Sequence, residues 1–209
     1  MKKGIILNLK QIKLLDYVAV NKIFILLSVV FISGIVIGTV RFDSGIFLTQ
    51  NSEKLFESFT KLHTEYKLIA RFFICLSRYI FILILYFISG ASMLGVAITP
   101  FITLWQGIFT GSITSHLYST YKLNGIAFNA IVLVPPLAVF AVCSFFAAKY
   151  AIDFSLSIAK LTLPRSRPVS LYNAFKTYCT KSLIFIAIAI LCSAVEIILN
   201  ILFLKFFNF

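Results

Sequence analysis

The run AIVLVPPLAVFAV, residues 130–142, decides how this chain is read. It is one of the most apolar stretches present, which asks for a membrane helix, yet Pro135 and Pro136 stand side by side within it. Proline has no N–H to give a helix, and its ring collides with the carbonyl four residues back. The surrounding segment, Gly125 to Lys160, is 36 residues long. At about 1.5 Å per residue that is too long for one untilted crossing of about 30 Å of hydrocarbon. Two arrangements fit. In the first, a short helix over 124–134 ends inside the bilayer and a second begins at Pro136, where a first-turn proline is tolerated, and runs to about residue 159. In the second, one kinked, tilted span ends near Lys149. The broken form, with its break at Pro135 and Pro136, is the preferred expectation. Broken backbone survives at membrane depth only where protein buries it or it lines a cavity.

Composition sets the solvent. Of 209 residues, 60% are hydrophobic and 12% charged, and the mean hydropathy is +1.00. A soluble domain carries nearer about 25% charged residues, so this chain has too few charges to cover a water-facing surface. The net charge of +12 comes from 19 Lys and Arg against 7 Asp and Glu. These basic residues bracket apolar runs, where they meet anionic headgroups of membrane lipids. No basic patch lies on a soluble domain, so no nucleic-acid partner is expected. The four cysteines, Cys75, Cys143, Cys179 and Cys192, show no CxxC spacing and read as small core hydrophobes. His63 and His116 are the only other soft ligands, and no metal or cofactor is expected.

Working outward, the fold class is an all-α polytopic integral membrane protein with about five transmembrane helices, the fourth segment broken by proline. Residues 1–22 carry five lysines and place Ile5, Leu9, Ile12 and Leu15 at helical spacing. They form a cytoplasmic basic amphipathic segment, followed by the membrane domain, 23–209. No A-x-A cleavage site follows the first apolar run, which therefore stays as an anchor. That first span, 23–40, holds Gly34 and Gly38, a GxxxG pair that admits a second helix closely. Span two covers 79–97 after Arg78, and span three, 101–118, follows Pro100 almost at once. The two make a tight antiparallel hairpin. Gly90, Ala91 and Gly95 on one arm and Gly107 and Gly111 on the other offer small faces for close packing. Trp105 and Gln106 are placed near the headgroups, where tryptophan is usually found. The fourth segment is 125–159, and the last span is 182–204.

Two loops fix the orientation. Residues 41–78 repeat apolar side chains every three or four positions from Leu55 to Phe73, with Glu57, Lys61 and Glu65 on another face. They form an outer amphipathic helix that feeds into span two; it either rests on the membrane or docks an extracellular partner. Residues 160–181 carry Lys160, Arg165, Arg167, Lys176 and Lys181 and no acid, a cytoplasmic signal. Five crossings then leave the N terminus inside.

Ionisable groups inside a membrane are costly and become functional candidates by default. Glu196 lies past the middle of the last span with Asn200 one turn on. It reads as a hydrogen-bond anchor to another helix, with a proton relay as the alternative. Lys149 and Asp153 stand four apart on the helix after the prolines, either paired or already at the water interface. No HExxH, GxSxG or P-loop occurs, and Asp153 has no second intramembrane aspartate for a protease dyad. A non-catalytic reading follows.

The order of these elements resembles stage II sporulation protein M, a polytopic membrane protein of endospore formers. The resemblance spans nearly the whole chain: LLSVVFISGIVIG at the first span, then SGASMLGVAITPFITLWQGIFTGSITSHL, NGIAFNAIVLVPPLAVFAV, DFSLSIAK and SAVEIIL, which places Glu196 at the family's acidic position. Members commonly have a polar residue after the first proline, whereas Pro136 follows Pro135 directly here. The resemblance implies a scaffold on the mother-cell side of the sporulation septum. It would act in engulfment, with stage II sporulation proteins D and P as peptidoglycan-remodelling partners. It is also compatible with a homo-oligomer. The alternative is a transporter or permease component with a midplane site at the Pro135–Pro136 break.

Overall fold

The computed structural model describes residues 22–43, 68–162 and 171–204, and within them every element is helical. The helices are α1 (Lys22–Asp43), α2 (Leu68–Gly90), α3 (Gly95–Phe128), a five-residue π-helix (Asn129–Leu133), α4 (Val134–Thr162) and α5 (Leu171–Leu204). Five stretches are long and apolar enough to cross a membrane: Lys22–Val40, Ile69–Gly90, Gly95–Ser119, Gly125–Lys160 and Tyr172–Phe203. The fold is all-α and polytopic. The basic segment 1–21, residues 44–67 of the outer amphipathic segment and the 163–170 connection lie outside the described residues.

α4 is the central helix. Half of its spanning window is buried inside the protein, against 17% for α1. The cause is a stripe of small residues: Ala141, Ser144, Ala148, Ala151 and Ser155, all buried and recurring every three or four positions. Small side chains let neighbouring backbones approach, which lipid-embedded helices need because hydrocarbon does not drive them together. Larger side chains close the rest of the core. The Tyr79 ring lies 4.4 Å from Phe140, and Phe145 takes the edges of Phe24 and Phe31 at 5.5 and 5.4 Å.

Two sequence expectations need correction. The first concerns the hairpin of spans two and three, which turns at residues 91–94 rather than near Pro100. The turn is closed by Ala91 N donating to Phe87 O at 3.2 Å and Gly95 N to Ser92 O at 3.2 Å. Span two therefore runs from Ile69 to Gly90, not 79–97, and span three begins at Gly95. Pro100 lies within the second turn of α3, where it removes one helical hydrogen bond without ending the helix.

The second correction is that the fourth segment is not broken at Pro135 and Pro136. The backbone stays helical through both, and the distortion moves upstream into the π-helix, where Val134 N donates to Asn129 O. A regular α-helix would press the two proline rings against the carbonyls of Ile131 and Val132. A wider turn at 129–133 relieves that crowding. The fourth segment is one continuous helical span that runs past Lys149 to Thr162, which is neither the broken form nor the shorter span ending near Lys149.

Between span three and the fourth segment the chain is interrupted at Lys122, with φ 47° and ψ −123°, the one non-glycine residue with positive φ among those described. The chain folds back there, so Leu117 and Phe128 on either side share one apolar cluster with Val132 and Leu133. Asn129 Nδ2 also donates to Tyr118 Oη at 3.2 Å across the bend. A lysine in this region of φ/ψ space holds about 1–3 kcal/mol of strain. Lys122→Gly should therefore raise the unfolding temperature in detergent, and Lys122→Val should lower it. Circular-dichroism melts of the two variants check the sign.

Candidate functional site

Glu196 is completely buried, at 0% exposure. An isolated carboxylate at that depth would be prohibitively costly, and the structure supplies partners from one face of α2. Arg78 Nη2 donates to both carboxylate oxygens, at 2.7 and 2.8 Å. Tyr79 Oη donates to Oε2, and Cys75 Sγ lies 3.9 Å from Oε1. Residues 75, 78 and 79 sit at i, i+3 and i+4, the spacing that stacks side chains on one helix face. The guanidinium also lies over the Tyr79 ring, 5.0 Å from its centroid. One turn before Glu196, Ser193 Oγ donates to Phe72 O at 3.3 Å. One turn after it, Asn200 is buried at 3%. Ser193 and Glu196 thus bind α5 to α2, and Asn200 lies buried on the same stripe. Arg78 keeps 21% of its side chain exposed, and its Nε is buried without a hydrogen-bond partner. The pair is neutral overall, which is the form in which charge persists in hydrocarbon.

A second polar seam joins α2 to α3. Tyr86 Oη and Thr103 Oγ1 are 2.9 Å apart, and Tyr86 Oη also reaches Gln106 Oε1 at 3.4 Å. Ser89 Oγ and Thr99 Oγ1 are 2.9 Å apart, and Thr99 donates on to Gly95 O at 2.6 Å. Thr99, Thr103 and Gln106 recur at helical spacing and are all buried. Gln106 is thus inside the bundle, about 17 Å along α3 from Gly95, and not among the headgroups. Trp105 beside it faces outward, 63% exposed. The seam continues into α4 and α5. Ser155 Oγ donates to Ser92 O at 2.8 Å, and Tyr178 Oη to Tyr86 O at 3.0 Å.

The glycines do not pair as the hairpin expectation had them. Gly107 and Gly111 face α1, where Gly34 and Gly38 receive them. A Cβ added to Gly34 would lie 2.5 Å from Leu104 O and 3.1 Å from Gly107 Cα. One added to Gly111 would strike Ile35 O, and one on Gly38 would strike Ile108 O. Ser112 and Ser115 on α3 then reach Gly38 O and Thr39 O, each at 3.5 Å. Gly90 instead receives Tyr178 and Ala151, and Gly95 lies against Ser89 O and Ser155.

The remaining candidates separate. Pro136 is buried and Pro135 exposed, on a continuous helix. Asp153 is exposed and Lys149 half-buried, with no ion pair between them. All four cysteines are free, and no group of three or more His, Cys, Asp and Glu among the described residues could hold a metal ion.

No protein-family profile, curated protein or solved structure matches this chain. The reading of the site therefore stands on its geometry.

Sequence reasoning singled out Glu196 and missed its partner. Arg78 stands where a flanking cation would mark the edge of span two, yet it follows IARFFICLS, apolar but for Arg71, and precedes YIFILIL. An arginine inside so long an apolar stretch, four residues past Ile74 and one before a tyrosine, was the available signal. The ion pair makes a thermodynamic prediction. Glu196→Leu should cost about 3–5 kcal/mol by stranding Arg78, while the Arg78→Leu/Glu196→Leu double variant should recover most of that loss. Glu196→Gln, which keeps hydrogen-bond acceptors, should fall between. A double-variant cycle of unfolding in mixed micelles measures all three.

Proposed function

We propose that this chain is a non-catalytic membrane scaffold. We place it at the engulfment stage of sporulation, organising septal peptidoglycan-remodelling proteins from the mother-cell side of the septum. The observation that supports the scaffold is the reciprocal glycine crossing of α1 on α3. Backbones in contact at Gly34, Gly38, Gly107 and Gly111 leave no side-chain layer that could slide. Such packing suits a fixed frame better than an alternating-access machine, whose halves must rock about a central site.

The sporulation setting rests on the sequence resemblance to stage II sporulation protein M, with stage II sporulation proteins D and P as the partners. In this reading the N terminus and the basic connection that begins at Lys160 and ends before the last span are cytoplasmic, and the part of the 41–78 segment that precedes span two presents the outer surface to the wall enzymes. A permease would need a polar site at membrane depth. The Pro135–Pro136 helix is continuous, and the Arg78–Glu196 cluster is engaged in joining α2 to α5.

Deleting the gene in an endospore-forming host and imaging sporulating cells with a membrane dye tests the setting. Septa that form but stay flat or bulge, without engulfment, are the expected result; normal engulfment overturns it. In the same assay Gly111→Leu should fail to complement and Glu196→Gln should succeed. A scaffold depends on the crossing, whereas a proton carrier would depend on the carboxyl.

A further inference from the structure

The Arg78–Glu196 pair leaves one edge of the guanidinium unused. Every hydrogen bond that Arg78 makes leaves from Nη2: two to the Glu196 carboxylate and one to Tyr79 Oη at 3.3 Å. Nε is the one buried side-chain nitrogen or oxygen without a partner among the described residues. Nη1, which also donates to nothing, therefore lies at the protein surface, within the 21% of the side chain that stays exposed. Arg78 stands about 14 Å along its span from Ile69. At that depth the surroundings are hydrocarbon, which accepts no hydrogen bond.

The exposed side of α2 next to this edge is a regular seam. Ile74, Phe81, Ile84 and Ile88 are between 42% and 61% exposed, and Ser77, also exposed, lies between the first two. Successive positions are 3, 4, 3 and 4 residues apart, the a and d spacing of a left-handed helix pair. Any lipid-facing side of a span has much the same spacing, so the apolar residues alone name no partner; the polar pair beside them does. Arg78 follows Ser77 directly, at the flanking e position. Ser77 Oγ donates to Ile74 O at 2.8 Å, which leaves its lone pairs free to accept.

We infer that α2 pairs in parallel with α2 of a second copy of this chain about a two-fold axis, with Arg78 Nη1 of each copy donating to Ser77 Oγ of the other. In such a pair a d-position side chain enters a hole of four residues on the facing helix. For Ser77 that hole is Ile74, Ser77, Arg78 and Phe81 of the second copy. A two-fold axis along the membrane normal puts equal residue numbers at equal depth, so donor and acceptor meet without an offset. The acceptor must also be neutral. Glu196 already balances Arg78, and a further carboxylate would bring an uncompensated charge into hydrocarbon. Ser77 meets that requirement, and a face that carries both donor and acceptor is its own complement. The pairing does not depend on the scaffold reading.

The test uses the full chain in membranes, with Cys179→Ser removing the cysteine that is not buried. In that background Ile84→Cys, on the seam but away from Arg78, should form a disulfide-linked dimer on oxidation with copper phenanthroline. Leu191→Cys, on the exposed side of α5, should not. Energy transfer between labelled copies in vesicles of increasing lipid content then measures dissociation of the dimer. Ser77→Ala, a surface change outside the core, should weaken the dimer roughly tenfold by removing two symmetric hydrogen bonds. Ser77→Thr, which keeps the hydroxyl, should leave it near wild type. A chain that is monomeric at every dilution, cross-linking at position 191 and not 84, or an unchanged dissociation in Ser77→Ala would each overturn the inference. The first of these outcomes would give the seam to lipid or to a helix of another protein.

Discussion

Hydrocarbon gives two apolar helices no reason to touch. Lipid tails solvate a leucine as well as another leucine does, so a bundle in a membrane needs attachments of other kinds. This protein uses two. Where α1 meets α3, glycine removes the side-chain layer and backbone packs on backbone. Where α2 meets α3 and α5, buried hydroxyls, an amide and one ion pair bond across the interface, because in hydrocarbon they have no other partners. The central helix α4 brings its small residues Ala151 and Ser155 to Gly90 and Gly95, and meets α1 with the ring of Phe145.

These attachments divide the bundle. α1 is held largely by shape, with serine hydroxyls only at the limit of hydrogen-bond distance. The α2–α5 contact is held by charge, and Glu196 has three donors directed at it. A shape contact tolerates no added atom, whereas a charge contact tolerates no unpaired partner. The two are therefore vulnerable to different substitutions, although both keep the helices together.

How much of this was legible depends on the length scale of the signal. The number of crossings was legible because each apolar run must exceed a fixed thickness. The ends of spans two and three were not, because SGASMLGVA is apolar on both sides of its turn. Pro100 looked like punctuation, yet a proline near a helix start need not end it. Glu196 was legible as a costly buried acid, while Arg78 passed for a flanking cation because basic residues so often mark span edges. Gly107 and Gly111 were legible as a small face but their contact with Gly34 and Gly38 was not, since sequence shows that a face is small and not which helix it meets. The small stripe of α4 is present in AVCSFFAAKYAIDFS at regular spacing, but the large Phe145, Phe146 and Tyr150 interleaved with it mask the pattern.

The π-helix at Asn129–Leu133 has a consequence for the rest of its helix. A π-turn accommodates one residue more than an α-turn, and each residue advances an α-helix by about 100°. Everything after it is thereby rotated in phase relative to everything before. Asn129, Val132 and Leu133 face inward on one side of the bulge, and Ala141, Ser144 and Ala148 face inward on the other. The wider turn brings the Ala141, Ser144 and Ala148 stripe closer in phase with Asn129, Val132 and Leu133. The prolines thus act as a phase adjuster, setting which face of a 29-residue helix looks into the protein and which looks into the lipid.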